Sequence, residues 1–247
     1  MRRKGGLKTG FPALDRAIDI GGGIITLKSR NQKLLFNLSA NIMVRNYNPD
    51  KKTLYLHLVD YHRRYWSMDY DFLSSLARTC EVDPEALFDG TCMVRAFSRD
   101  CAETEENWKM LFSCFTDENS NFAILDSISE LYEENEMNSG NFYHYMNSHT
   151  FRNFNRNGSN GSKINFKTLT YTIGMFSKFC IRNNCVGIVL DCSRKPLHPY
   201  LGEVSSVVLE FFYDEGVIAR LLKHPCLAEG CFEVRRSRQT TLKRFMH

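Results

Sequence analysis

Asn121-Phe-Ala-Ile-Leu-Asp126-Ser127-Ile-Ser-Glu130 opens on an apolar run closed by an acidic residue and a hydroxyl. A run this short, with no polar alternation, predicts a strand buried on both faces, as in a parallel sheet covered by helices. A carboxylate at its carboxyl end can hold the water shell of Mg²⁺ when a glycine-rich loop earlier in the chain offers backbone N–H groups to phosphate. The place for that loop holds Leu27-Lys28-Ser29-Arg30-Asn31-Gln32-Lys33-Leu34-Leu35, without a glycine. The pattern implies a nucleotide-type sheet lacking its phosphate cradle.

Upstream, Thr9 to Ile18 reads as a short helix, Ile24 to Leu27 as a strand, and Gln32 to Arg45 as a helix with Leu34, Leu35, Leu38 and Ile42 at helical spacing. Thr53 to Val59 is a second strand, and Ser67 caps a helix carrying Phe72, Leu73, Leu76 and Ala77. Asp83-Pro84-Glu85 sets an N-cap and a first-turn proline before another short helix, and Cys92 to Phe97 is a third strand. Asn107 to Phe115 reads as a helix leading to the strand that ends at Asp126. Phe166 to Arg182, with Phe166, Leu169, Ile173, Phe176 and Cys180 on one stripe, is a helix feeding the strand Val186 to Leu190.

Strands alternating with helices of this length imply right-handed crossovers and a mostly parallel sheet. Val204 to Phe212, Gly216 to Leu222 and Cys231 to Arg236 read as strands joined by tight turns, antiparallel hairpins extending one side of that sheet.

The 247 residues, 43% hydrophobic and 24% charged, suffice for one sizeable core, so residues 1–247 read as a single α/β domain. No apolar stretch reaches membrane-spanning length and no apolar targeting segment opens the chain, which predicts a soluble, intracellular protein without membrane contact. Nine cysteines with no CxxC pair argue against a disulfide framework and for a reducing compartment. The Cys180/Cys185 and Cys226/Cys231 spacings fit no zinc signature, so no metal is expected on them.

The net charge of +4 does not by itself call for nucleic acid, but the charges are unevenly placed. Acidic residues gather between Asp100 and Glu136, and residues 237–247 form a basic tail. Residues 138–163, with seven asparagines and three glycines, predict a mobile loop. Its aromatic and basic residues, Phe151, Arg152, Arg156 and Lys163 among them, are of the kinds that stack bases and neutralise phosphates or dock a partner. Arg194 and Lys195, just after the strand ending at Asp191, join that candidate surface.

Several stretches, in order, resemble the ATPase core of the RecA/RadA-type recombinases and their eukaryotic paralogues. Leu7-Lys-Thr-Gly10, Leu14-Asp15 and Gly21-Gly-Gly-Ile24 are similar to its opening segment, and Val82-Asp-Pro-Glu85 with Met93-Val-Arg-Ala-Phe97 to the approach to its third strand. Ile124-Leu-Asp126-Ser127 matches its Walker B strand, and Ala219-Arg220-Leu221-Leu222 with Pro225, Leu227 and Glu229-Gly230 its late hairpin. The likeness spans about residues 7 to 236 and is most similar to the short, Walker-B-only paralogue partners known in nematodes. It implies a RecA-like P-loop ATPase core, a mostly parallel sheet flanked by helices with C-terminal antiparallel hairpins.

The departures shape the functional expectation. Lys33 is the stand-in for the Walker A lysine, in a loop that is shortened and has Leu34 at the Mg²⁺-binding hydroxyl position. Asp60 is the stand-in for the catalytic carboxylate, and Asp126 and Ser127 persist at the Walker B position in a structural role. No catalytic residue is therefore assigned. Lys223-His224-Pro225 falls where the RadA branch caps a neighbour's ATP, so Lys223 and His224 are a candidate contact with nucleotide in trans.

The resemblance thus implies a pseudo-ATPase without a cofactor in cis, with ATP/Mg²⁺ held by a partner subunit at the interface. It would be a nuclear subunit of a heterodimer with a paralogue bearing an intact Walker A motif. That dimer would serve as a recombination mediator in homologous recombination DNA repair, stabilising or remodelling recombinase filaments on single-stranded DNA. Two alternatives stand beside it: an ATP-hydrolysing enzyme using Lys33, Asp60 and Asp126 in a divergent loop, and an autonomous single-stranded DNA-binding module.

Overall fold

A computed structural model describes residues 7–19, 22–57, 70–95, 101–114, 120–126, 128, 161–193, 196–213 and 216–234, with backbone alone at 95, 101–104, 114, 161–168 and 213. Eight strands form one sheet: β1 (Gly23–Ser29), β2 (Lys52–His57), β3 (Thr91–Arg95), β4 (Ser120–Asp126), β5 (Val186–Asp191), β6 (Val207–Tyr213), β7 (Val217–Lys223) and β8 (Gly230–Glu233), in the order β3-β2-β4-β5-β1-β6-β7-β8. Strands β1 to β6 run parallel, and β7 and β8 add antiparallel to β6. The α/β class, the mostly parallel sheet and the antiparallel C-terminal strands all follow the sequence expectation.

The helices are α1 (Pro12–Ala17), α2 (Gln32–Arg45), α3 (Tyr70–Thr79), α4 (Pro84–Asp89), α5 (Cys101–Cys114), α6 (Gly161–Arg182) and α7 (Pro199–Val204). Side chains alternate across the pleat, so each central strand feeds two cores. Ile25, Leu27, Tyr55, Ile124, Ile188 and Leu190 pack against α1 to α4. Ile24, Leu54, Leu56, Ala123, Leu125 and Val189 pack against α5 to α7. This partition is what right-handed crossovers impose, because connections running towards β3 and those running towards β8 must lie on opposite faces.

Neighbours β1 and β5 send their next helices to opposite faces, and so do β2 and β4. Crevices open outside the carboxyl ends of strands at such switch points, and ligands of open α/β sheets bind there. The fold therefore presents two candidate positions on one edge.

Local chemistry sets the boundaries. Asp83 caps α4 by accepting from the Glu85 N–H, with Pro84 in its first turn. Asn184 takes the left-handed conformation (φ 47°) after α6, the Cys185 N–H reaches the Cys180 carbonyl at 3.0 Å, and the Asn184 N–H reaches that of Ile181 at 3.1 Å. These two bonds close a Schellman turn that steers the chain directly into β5. The second residue of β5 is a glycine for steric reasons: a Cβ on Gly187 would lie 2.7 Å from Cys180 Sγ and 2.8 Å from Phe176 Cε1.

Several boundaries differ from expectation: α1 is Pro12–Ala17 and not Thr9 to Ile18, β1 is Gly23–Ser29 and not Ile24 to Leu27, and β8 ends at Glu233. Helix α5 begins at Cys101, well before Asn107, and α6 begins at Gly161, so residues 161–163 are helical. Val204 ends α7 and does not open β6, because His198 and Pro199 supply an N-cap and a first-turn proline to a six-residue helix.

Candidate functional site

At the β1/β5 switch point, Lys28 pairs in register with Asp191. The Lys28 ammonium donates to Asp191 Oδ2 at 3.0 Å, to the Ser193 carbonyl at 3.0 Å and to Ser193 Oγ at 2.9 Å. An ammonium has three N–H donors, and all three are used. The Ser193 N–H in turn donates to Asp191 Oδ1 at 2.9 Å. Lys28 is 4% exposed, and Asp191 and Ser193 are fully buried. Breaking such a pair from one side leaves an uncompensated buried charge, which costs about 3–5 kcal/mol.

On the other face, β1 passes into α2 through Arg30 and Asn31 alone. Asn31 Oδ1 accepts from the Leu34 N–H at 3.0 Å, and the Asn31 carbonyl accepts from Leu34 and Leu35. The Asn31 N–H donates to Ser29 Oγ at 3.1 Å, and that hydroxyl donates to the Phe211 carbonyl at 3.1 Å. The N-terminus of a helix attracts phosphate through N–H groups left without partners. Here the chain's own groups take the Asn31, Leu34 and Leu35 N–H groups, and two residues are too few to wrap an anion.

At the β2/β4 switch point, Asp126 pairs in register with His57. Asp126 Oδ2 accepts from Tyr55 Oη at 2.6 Å and lies 3.4 Å from His57 Nε2. Burial, followed by the neighbouring Asp126 charge, pushes the Tyr55 phenol well above its ordinary value of 10.0. Tyr55 therefore remains a donor to the Asp126 carboxylate, whose Oδ2 also faces His57.

The third cluster joins α7 to β7. Lys223 Nζ donates to the carbonyls of Gly202 (2.8 Å) and Glu203 (3.1 Å), satisfying acceptors at the end of α7 where a cation is favoured. His224 Nδ1 accepts from the N–H groups of Cys226 (2.9 Å) and Leu227 (2.8 Å), which fixes the turn after β7. His198 Nδ1 accepts from the Tyr200 N–H at 3.3 Å as the N-cap of α7. Burial lowers the His198 pKa below its ordinary 6.5, against the opposing pull of Asp191.

Of the sequence-predicted residues, Lys33 sits in the first turn of α2 and Asp126 ends β4, both on the carboxyl edge of the sheet. Lys223 and His224 lie at the far end of β7. Lys163 falls in α6, where the backbone alone is described, and Asp60, Ser127, Phe151, Arg152, Arg156, Arg194 and Lys195 lie outside the described residues. Among the described residues, no group of three or more His, Cys, Asp or Glu side chains is placed to hold a metal ion. No helix among them is long and apolar enough to cross a membrane.

No protein-family model matches this chain, and no curated protein matches it. The cluster that sequence reasoning missed is Lys28–Asp191–Ser193. Its one sequence signal is the Ile24-Ile-Thr-Leu-Lys28 alternation, which puts Thr26 and Lys28 on one face of a strand continuing past Leu27.

Proposed function

We propose that this chain is a non-catalytic recombinase paralogue with a RecA-like core and a degenerate Walker A position. It acts in homologous recombination DNA repair as one subunit of a nuclear heterodimer. Its partner is a paralogue with an intact Walker A motif, which holds the ATP and Mg²⁺. The pair binds recombinase filaments on single-stranded DNA and stabilises or remodels them. The observation that carries this reading is the junction between β1 and α2, two residues long and closed by the Asn31 cap. A subunit without nucleotide of its own draws interface energy from another source, and an obligate partner supplies it.

Lys223 is the residue on this chain assigned to the partner's nucleotide. Its ammonium is held by the Gly202 and Glu203 carbonyls, so contact with a γ-phosphate would exchange neutral acceptors for a charged one. The test is equilibrium titration of the isolated chain with a fluorescent, slowly hydrolysed ATP analogue and Mg²⁺. No saturable binding is expected into the high-micromolar range. Micromolar binding abolished by Lys33→Ala would overturn the reading and make the chain an ATP-binding enzyme.

A further inference from the structure

We propose that Lys28 is a tethered substitute for a soluble monovalent cation, and that the oxygens around its ammonium form a latent cation site at the β1/β5 switch point. The inference stands independently of the adaptor reading. It rests on what surrounds Nζ: one carboxylate oxygen, one carbonyl oxygen and one hydroxyl oxygen, at 3.0, 3.0 and 2.9 Å. This is the donor set that proteins present to hard cations. Without the lysine, Asp191 gives the cage a single negative charge in a fully buried setting. One positive charge balances it, whereas a divalent ion would leave a buried excess.

Distance makes the same distinction. Mg²⁺ demands ligands at about 2.0–2.1 Å in near-octahedral array, so the oxygens would have to close in by roughly 0.9 Å. An ammonium ion or a similarly large alkali cation fits them as they stand. The cage is also held from outside: the Ser193 N–H fixes Asp191 Oδ1, and strand pairing fixes Lys28 opposite Asp191. Asp191 and the Ser193 backbone are therefore tied to each other by a bond that does not involve the ammonium. Tethering the cation to β1 completes the switch point without any ion taken from solution.

Chemical rescue tests the proposal. Thermal unfolding of the full chain and of Lys28→Ala would be followed in NaCl, KCl, NH₄Cl, methylammonium chloride and tetramethylammonium chloride at equal ionic strength. The parent chain should show the same midpoint in all five salts. Lys28→Ala should lose about two to four orders of magnitude in its folded-to-unfolded ratio in tetramethylammonium, which has no N–H donor. It should regain at least tenfold of that ratio, saturably, in ammonium, methylammonium or potassium. Equal midpoints for the variant in all salts, or an identical ion preference in the parent chain, would overturn the inference.

Should Lys28→Ala fail to fold in every salt, Lys28→Met with Asp191→Asn decides the matter. That neutral pair should fold and be indifferent to the cation. Its failure as well would show that the loss is not one of unbalanced buried charge, which also overturns the inference.

Discussion

Replacing Gly187 by alanine should destabilise the domain through a collision defined at two atoms. The new Cβ would lie 2.7 Å from Cys180 Sγ and 2.8 Å from Phe176 Cε1. Phe176 is fully buried and Cys180 is 3% exposed, so neither side chain has free space to retreat into. Cys180 is further held at the Schellman turn, where its carbonyl takes the Cys185 N–H. Overpacking a tight core by one methyl costs about 1–3 kcal/mol. For a domain of this size each kcal/mol lowers the melting midpoint by about 2–4 °C, so Gly187→Ala should lose about 2–12 °C. Urea unfolding followed by far-ultraviolet circular dichroism measures the free energy directly, and an unchanged slope would show that the loss is one of stability and not of denatured-state compactness.

The partner experiment isolates the cause. In a Cys180→Ala background one of the two contacts is gone, so the glycine substitution should cost at least about 0.5 kcal/mol less than in the parent chain. The rescue is partial, because the Phe176 edge remains. Strict additivity of the two substitutions, or a Gly187→Ala chain as stable as its parent, would refute the packing argument.

Asn31→Ala should cost about 1 kcal/mol, within a range of about 0.5–2, by releasing the Leu34 N–H from its cap, whereas Asn31→Asp should keep most of the stability; urea midpoints compare the three chains. The lowered His198 pKa makes stability depend on pH with a definite sign. Between its folded value and the ordinary 6.5 the unfolded chain binds more protons, so His198 contributes fully above 6.5 and its contribution is lost as pH falls through that window. Melting midpoints from pH 7.5 down to 5 should therefore fall less steeply in His198→Asn, which retains a capping oxygen without a titrating ring; parallel curves would contradict the assignment.

Elements governed by neighbouring residues were legible in the sequence. Helix α2 runs from Gln32 to Arg45 as its apolar spacing predicts, and α4 starts after Asp83 with Pro84 in its first turn as the cap rule predicts. What stayed hidden depends on partners far along the chain. Lys28 reads as the polar end of a strand until Asp191, 163 positions later, is brought beside it by β1/β5 pairing.

Asp126 was visible as a strand-end carboxylate, but its contacts with Tyr55 and His57 follow from β2/β4 register, which no local pattern encodes. Helix α7 escaped notice for a different reason: its six residues bury one side chain, Leu201, and so carry no apolar period.

The two-residue passage from Ser29 to Gln32 also limits what this chain can become. Substitution exchanges side chains but leaves contour length unchanged, and at most about 3.6 Å of reach comes with each residue of backbone. A loop able to encircle a phosphate is therefore beyond any set of point mutations at Arg30 and Asn31, and would arise here only by insertion. Strand β1 is hydrogen-bonded on both sides and packed on both faces, so it has no slack to lend. Point substitution in descendants of this sequence can change the chemistry of Arg30 and Asn31 while the length of the junction stays fixed at two residues.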